Sequence, residues 1–525
     1  MYPYKASTER NLPTMMKRLF CFLLILVLCF SFAHAEEAAP AHTALRYDLD
    51  LTFSLNPDAF PARSRNRARG YAELLDVLEL RGDLTLCEET QSFDLNAELF
   101  FRNKPEVSIP FRFYGIPSML FLTSPIIANE TLQFLMASLA EFAIKAQKNL
   151  ETQLPVFALL YPYVYEYNFR NVIDAWNQYT GPAGKSRKIS AENISKLCDT
   201  LTELLETDSS LGVWISTLCS VCSAPEAVEA EIQGIPSYLR DFVSAGKPLT
   251  VKVGDGTETW TNAAGRVLFS RRQADRSLTW SLDLPQDENR YAPRLSFTSS
   301  TGENGLDFNM EGSIVRGKAV LPSEIDEESS GADGESSEYA EEYAEDYSEE
   351  YAPVTGSEES EGEYESEEDD QWPKTLLLFS ASGSSIPTVF PCDSSFSLAA
   401  SVQGKLYPNF DLMIRGETKK DGTVSVSLCQ LQENADPQPL LTCTGSVVPG
   451  TAETVPDFNY SNEQLYGNYN FFSFSEYYVA KFKAAVTKSL LKGLLDFVAE
   501  APTSACQSIL DDLTDAGVIN MMIDQ

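Results

Sequence analysis

Cys219 and Cys222 form a C-x-x-C, the spacing at which one low-pKa thiolate can attack while its neighbour resolves the product. In this chain the pair closes a helical stretch, 211–222, and no strand leads into it as a thioredoxin-like unit requires. The expectation is a structural bridge, made locally or to Cys198. Histidine chemistry is closed off more firmly. The chain has 2 histidines; His34 belongs to the leader and His42 to the mature N-terminus. A body without histidine cannot assemble a Ser-His-Asp site, a Cys-His site or a His-ligated zinc. No GxxxxGK[ST], no GxGxxG after a strand, no GxSxG and no EF-hand loop occurs, so no catalytic residue, cofactor or metal set is assigned. Paired carboxylates remain, as in glycoside hydrolysis, but acids are spread too widely through this chain to single any out.

Aromatic side chains are the other candidates. Tyr161, Tyr163, Tyr165, Tyr167 and Trp176 crowd one segment, and Tyr466, Tyr469 and Phe472 crowd another beside Asn and Gly. Rings with polar handles suit a small amphiphilic ligand or a glycan, and they equally suit a core between helix and sheet. The stretch 323–370 offers a different chemistry. It is dense in Glu and Asp with no Lys or Arg, too repulsive and too poor in apolar surface to order. The expectation is a disordered acidic spacer with weak, many-site association of Ca²⁺ or Mg²⁺.

The chain opens with Lys17, Arg18, an apolar run from Leu19 to Phe32 and then Ala33-His34-Ala35. These are the parts of a cleavable secretory signal, in a run short of the about 20 residues a membrane span needs. The mature chain is therefore expected to be exported, at the cell surface or beyond it, with no membrane span. The formal charge of −36 makes nucleic acid an improbable partner. Of 10 cysteines, Cys21 and Cys29 fall in the leader, and the even remainder in an exported chain suggests disulfides. Spacing about the turn cluster 434–438 places Cys429 opposite Cys443, the one pair predicted to bridge.

Strands must position these groups. Leu45, Tyr47, Leu49, Leu51, Phe53 and Leu55 alternate with polar residues, a period of two that points to an antiparallel sheet with one wet face. Similar runs cover 93–101, 107–113, 249–253, 278–284, 306–310, 376–380, 396–402, 410–414 and 424–428. Tyr71 to Leu80 reads as a short helix. Apolar residues at three and four from Asn129, a candidate N-cap, start a helical block to about 245, and 476–500 is an amphipathic C-terminal helix.

The resulting expectation is an α+β protein built on a large, curved, mostly antiparallel sheet. Its segments are a signal peptide (1–35), a first β-rich part (36–128), the helical block (129–245), a meander (246–322), the acidic tract (323–372), a second β-rich part (373–450) and an aromatic loop with C-terminal helices (451–525). The expected function is non-enzymatic binding of an apolar or amphiphilic ligand, in a pocket between the strands and the helical block. The alternatives are a surface protein working through its acidic tract, on cations or a basic partner, and a carboxylate glycoside hydrolase.

Overall fold

The computed structural model describes residues 44–316 and 373–515, apart from 61, 63, 88–90, 151–152, 182–183, 244–246, 275, 284–290, 303–304, 374, 406–409, 433–434, 451–468 and 474–475. The leader and the acidic tract lie outside the described residues. The rest is an α+β structure dominated by one mostly antiparallel sheet.

The first six strands are β1 (Leu45–Leu55), β2 (Leu78–Cys87), β3 (Ser92–Phe101), β4 (Lys104–Ile116), β5 (Met119–Thr123) and β6 (Thr131–Leu135). Each pairs antiparallel with the next. Helix α1 (Arg65–Val77) separates β1 from β2. The helix read at 71–80 thus starts earlier and stops at Val77, because Leu78, Leu80, Leu84 and Leu86 take up the two-residue period of β2. The helix expected from Asn129 is also displaced. Asn129 has a left-handed backbone, φ 58°, and Thr131–Leu135 pairs with β5, so the helical period begins only at Leu139.

Six helices follow: α2 (Leu139–Leu150), α3 (Leu154–Leu160), α4 (Pro162–Thr180), α5 (Ala191–Thr207), α6 (Ser209–Val221) and α7 (Pro225–Val243). Ser190 Oγ caps α5 by accepting from Asn193 N (3.1 Å), and Asp208 caps α6 through Ser210 N and Leu211 N. A short strand, β7 (Arg187–Ile189), lies between α4 and α5.

The chain then runs as an unbroken meander: β8 (Leu249–Gly254), β9 (Thr257–Thr261), β10 (Val267–Ala274), β11 (Ser277–Asp283), β12 (Tyr291–Thr301), β13 (Leu306–Arg316), β14 (Thr375–Ile386), β15 (Ser394–Gln403), β16 (Phe410–Thr418), β17 (Thr423–Gln432) and β18 (Ala435–Pro449). β18 closes onto β1, with Leu51 opposite Gly445 and Phe53 opposite Cys443. The two meanders are therefore one sheet. β13 and β14 are hydrogen-bonded neighbours, so the acidic tract connects adjacent strands. A two-residue strand, β19 (Tyr469–Asn470), pairs parallel with β6, and the last described elements are α8 (Glu476–Glu500) and α9 (Thr503–Asp515).

Alternation assigns the faces. In β1, Tyr47, Leu49, Leu51 and Phe53 are buried on the side that carries α2–α7. Their partners in this core are Leu139, Ala140 and Ala143 of α2, Ala158 of α3 and Val164 of α4. A second core joins α6 and α7 to Leu376, Leu377, Val402 and Phe410, and a third joins α4, α5 and α7 to β7–β11. A fourth gathers Leu74, Leu78, Phe101, Phe497 and Ala505, where α1, α8 and α9 meet the β3–β4 hairpin.

Candidate functional site

The first aromatic segment divides between core and surface. Tyr161 is 7% exposed, and its hydroxyl donates to Pro117 O at 2.8 Å; burial pushes its pKa well above the ordinary phenol range. Tyr163 packs against the sheet core and stacks on Tyr167 at 6.1 Å. Trp176 stacks on Trp260 at 5.3 Å beneath α5. Tyr165 and Tyr167 are exposed on α4, with Tyr165 stacked on Phe169 at 4.8 Å. These rings face different neighbours and line no common site. In the second segment Phe472 packs between Phe134 and Phe142, at 5.7 and 5.2 Å. Tyr469 opens β19, and Tyr466 lies outside the described residues.

No disulfide joins the described cysteines, all of which are free thiols. Cys429 stands opposite Pro439 and Cys443 opposite Val426. The sequence placed the turn at Asp436. The last register pair is Gln432 with Ala435, so the strands reverse ahead of Asp436, and together with a bulge after Leu428 this carries the two cysteines past one another. The C-x-x-C caps α6 as expected, but without a bridge to Cys198. Burial pushes the Cys219 thiol up to about 11 and Cys222 up to about 12, the reverse of what a redox nucleophile needs.

The outer face carries the carboxylates. Glu79, 6% exposed, has its pKa raised by burial and by a hydrogen bond with Asp50, while Arg81 Nη2 donates to it at 2.5 Å. Two carboxyls in direct contact are closer than the about 5–9.5 Å that glycoside hydrolysis uses. A nearby cavity of about 510 Å³ is lined by Arg81, Asn96, Arg112 and Asn129, with Glu98 as its carboxylate. Arg112 is already held by Asp94, at 2.8 and 2.7 Å. Another cavity, of about 550 Å³, opens between α2, α5, α6 and α7 and not against the strands. Where α2–α4 meet the sheet, Ala143 and Val164 are both 0% exposed, so the pocket expected between strands and helical block is filled there. Among the described residues no cluster of His, Cys, Asp or Glu could hold a metal ion, and no helix is long and apolar enough to cross a membrane.

The helix-bearing face is incompletely covered further along the meander. One cross-strand row runs Trp280, Phe297, Met310, Ala381, Ala400 and Leu412 over β11–β16. The adjacent row runs Leu278, Ser299, Phe308, Gly383, Leu398 and Ile414. All these side chains except Gly383 and Ile414 are half-buried; Leu398, Ala400 and Leu412 pack against the first two cores, whereas among the described residues none of the four cores reaches Leu278, Trp280, Phe297, Phe308 or Met310. Trp280 stacks on Phe297 at 5.7 Å and 23°. Phe308 packs against Gly383, where a methyl group would fall 2.4 Å from the ring. The opposite face of the same strands is polar, with Ser277, Thr279, Ser296, Thr298, Ser380 and Ser382 beside Asn309 and Glu311. The sequence marked Leu278, Trp280, Phe308 and Met310 as one face of strands; Phe297, on β12, passed unnoticed because Tyr291–Thr301 interrupts its apolar alternation with Pro293 and Arg294.

Comparison of the chain with protein families, curated proteins and solved structures finds no match.

Proposed function

We propose that the chain is an exported, non-catalytic binding protein that holds an apolar or amphiphilic ligand along the half-open strip across β11–β14 of a curved sheet. The observation behind this reading is the continuity of Leu278, Trp280, Phe297, Phe308 and Met310 on one face, beyond the reach of the helices. A contiguous apolar surface left outside the core marks an interaction site more often than an idle one. Export follows from the apolar run Leu19–Phe32 and the Ala33-His34-Ala35 end, and places the protein where free amphiphiles and membrane lipids are encountered.

The test is native mass spectrometry of the protein purified from its own secretion medium, with organic extraction of whatever it carries. A lipid or small amphiphile that departs on denaturation supports the reading. A bare protein mass, unchanged after exposure to alkyl amphiphiles, removes it.

A further inference from the structure

We infer that the ligand of the half-open strip is a free fatty acid, its acyl chain lying across β11–β14 and its carboxylate held by Arg271. This rests on the reading of the strip as a ligand site and adds the ligand's charge, length and chain number.

Arg271 on β10 stands directly opposite Trp280, so it continues the Trp280–Phe297–Met310 row at its open end. Its side chain is exposed, with Nη2 donating to Gln273 Oε1 at 3.0 Å. Gln273 in turn stands opposite Leu278 and heads the second row. The carboxylate across the strand pair, Glu258, is engaged elsewhere: it accepts from Trp260 Nε1 at 2.9 Å and from Gly184 N at 3.3 Å. Among the described residues no carboxylate ion-pairs with Arg271. Arg272 and Arg276 add positive charge to the same hairpin, in a chain whose net charge is −36. A guanidinium fork at the head of an apolar row matches a carboxylate, which accepts two parallel hydrogen bonds from it.

Length and width agree with one chain. Trp280 to Ala381 crosses three interstrand gaps, about 14 Å at the usual strand spacing. One leaflet of acyl chain occupies about 15 Å, half the hydrocarbon thickness of a bilayer. The strip is two residue rows wide, about 7 Å, room for a single chain.

The experiment uses the full chain after delipidation and measures binding of laurate and of 1-dodecanol below their aggregation limits, by calorimetry and tryptophan fluorescence. Phosphatidylglycerol vesicles form a third arm. The expected result is laurate bound about tenfold more tightly than dodecanol. Arg271→Gln should bring laurate down to the dodecanol level, and Trp280→Ala should weaken both probes. Arg271 is exposed, so its variant should keep the wild-type melting curve. Equal binding of the two probes, indifferent to Arg271→Gln, overturns the carboxylate assignment and leaves the apolar strip standing. Binding to vesicles without binding to laurate also overturns it, in favour of a membrane surface. No binding of any probe, or binding indifferent to Trp280→Ala, overturns the strip itself as the ligand site.

Discussion

Over β1–β6 and β16–β18 the apolar face of the sheet packs into the core beneath α2–α4, whereas over β11–β14 the same kind of face is left half open. Both regions are built from strands that alternate apolar with polar, and both carry aromatic rings in cross-strand register. They differ in what lies above them. Ala140, Ala143 and Ala158 let helix backbones approach the first region closely, so its Leu and Phe side chains become core. Among the described residues no helix side chain joins Trp280, Phe297 and Met310 in a core, so they keep surface available to something else. Apolar alternation therefore identifies a face, and the reach of the helices decides whether that face serves stability or binding.

A charge placed in each region gives the widest separation. Ala143→Lys would bury an unpaired ammonium in the filled half, at several kcal/mol, and should abolish the cooperative urea transition followed by circular dichroism. Met310→Lys can extend into solvent and should stay within about 1–2 kcal/mol of wild type. Equal damage at the two positions would erase the distinction between the regions. Truncation sharpens the same contrast. Ile414, 1% exposed, should cost about 2–5 kcal/mol as Ile414→Ala, against about 1 kcal/mol for the half-buried Leu278→Ala.

Binding should follow the opposite order. Phe297→Ala, which removes the stack on Trp280, should weaken amphiphile binding by at least about tenfold, or about 1.4 kcal/mol, with little change in the urea midpoint. Tyr165→Ala, on the exposed side of α4, should leave binding unchanged. Should Tyr165→Ala weaken binding and Phe297→Ala leave it intact, the ligand belongs on the helices and not on the sheet.

The smallest effect is in alkali, and it reports on the filled half. Burial raises the Cys443 thiol to about 12, from an ordinary value of 9.0. A thiol whose folded pKa lies above its unfolded one favours the folded state below pH 9 and loses that contribution as the pH rises toward 12. Urea midpoints should therefore hold steady up to about pH 9 and fall above it, and Cys443→Ala should reduce that fall. Iodoacetamide at pH 8 should label Cys443 and Cys222 only after unfolding.

Much of this architecture was legible in single strands. The alternation of Leu45–Leu55 predicted β1 to the residue, and the apolar stripe of 476–500 predicted α8. Long periodic segments succeed because the local pattern and the tertiary environment agree. Leu78–Cys87 was blurred by the helical spacing just before it, and Thr131–Leu135 by apolar residues that fit either period. The candidate site was less legible. Tyr161 and Trp176 drew attention by crowding, yet helix geometry sent the first into the sheet and the second onto Trp260.

By itself the sequence determined that the protein is a mostly antiparallel sheet with one apolar and one polar face, interrupted by helices and by an acidic stretch. Those properties follow from side-chain period and composition, which neighbouring residues carry. Only the tertiary structure decided that Cys429 and Cys443 pass one another, that β18 returns to β1, and that Arg271 heads a row of rings drawn from β11 and β12. Register and helix reach are sums over contacts between residues distant in the chain, and a one-residue change in a turn moves every partner beyond it.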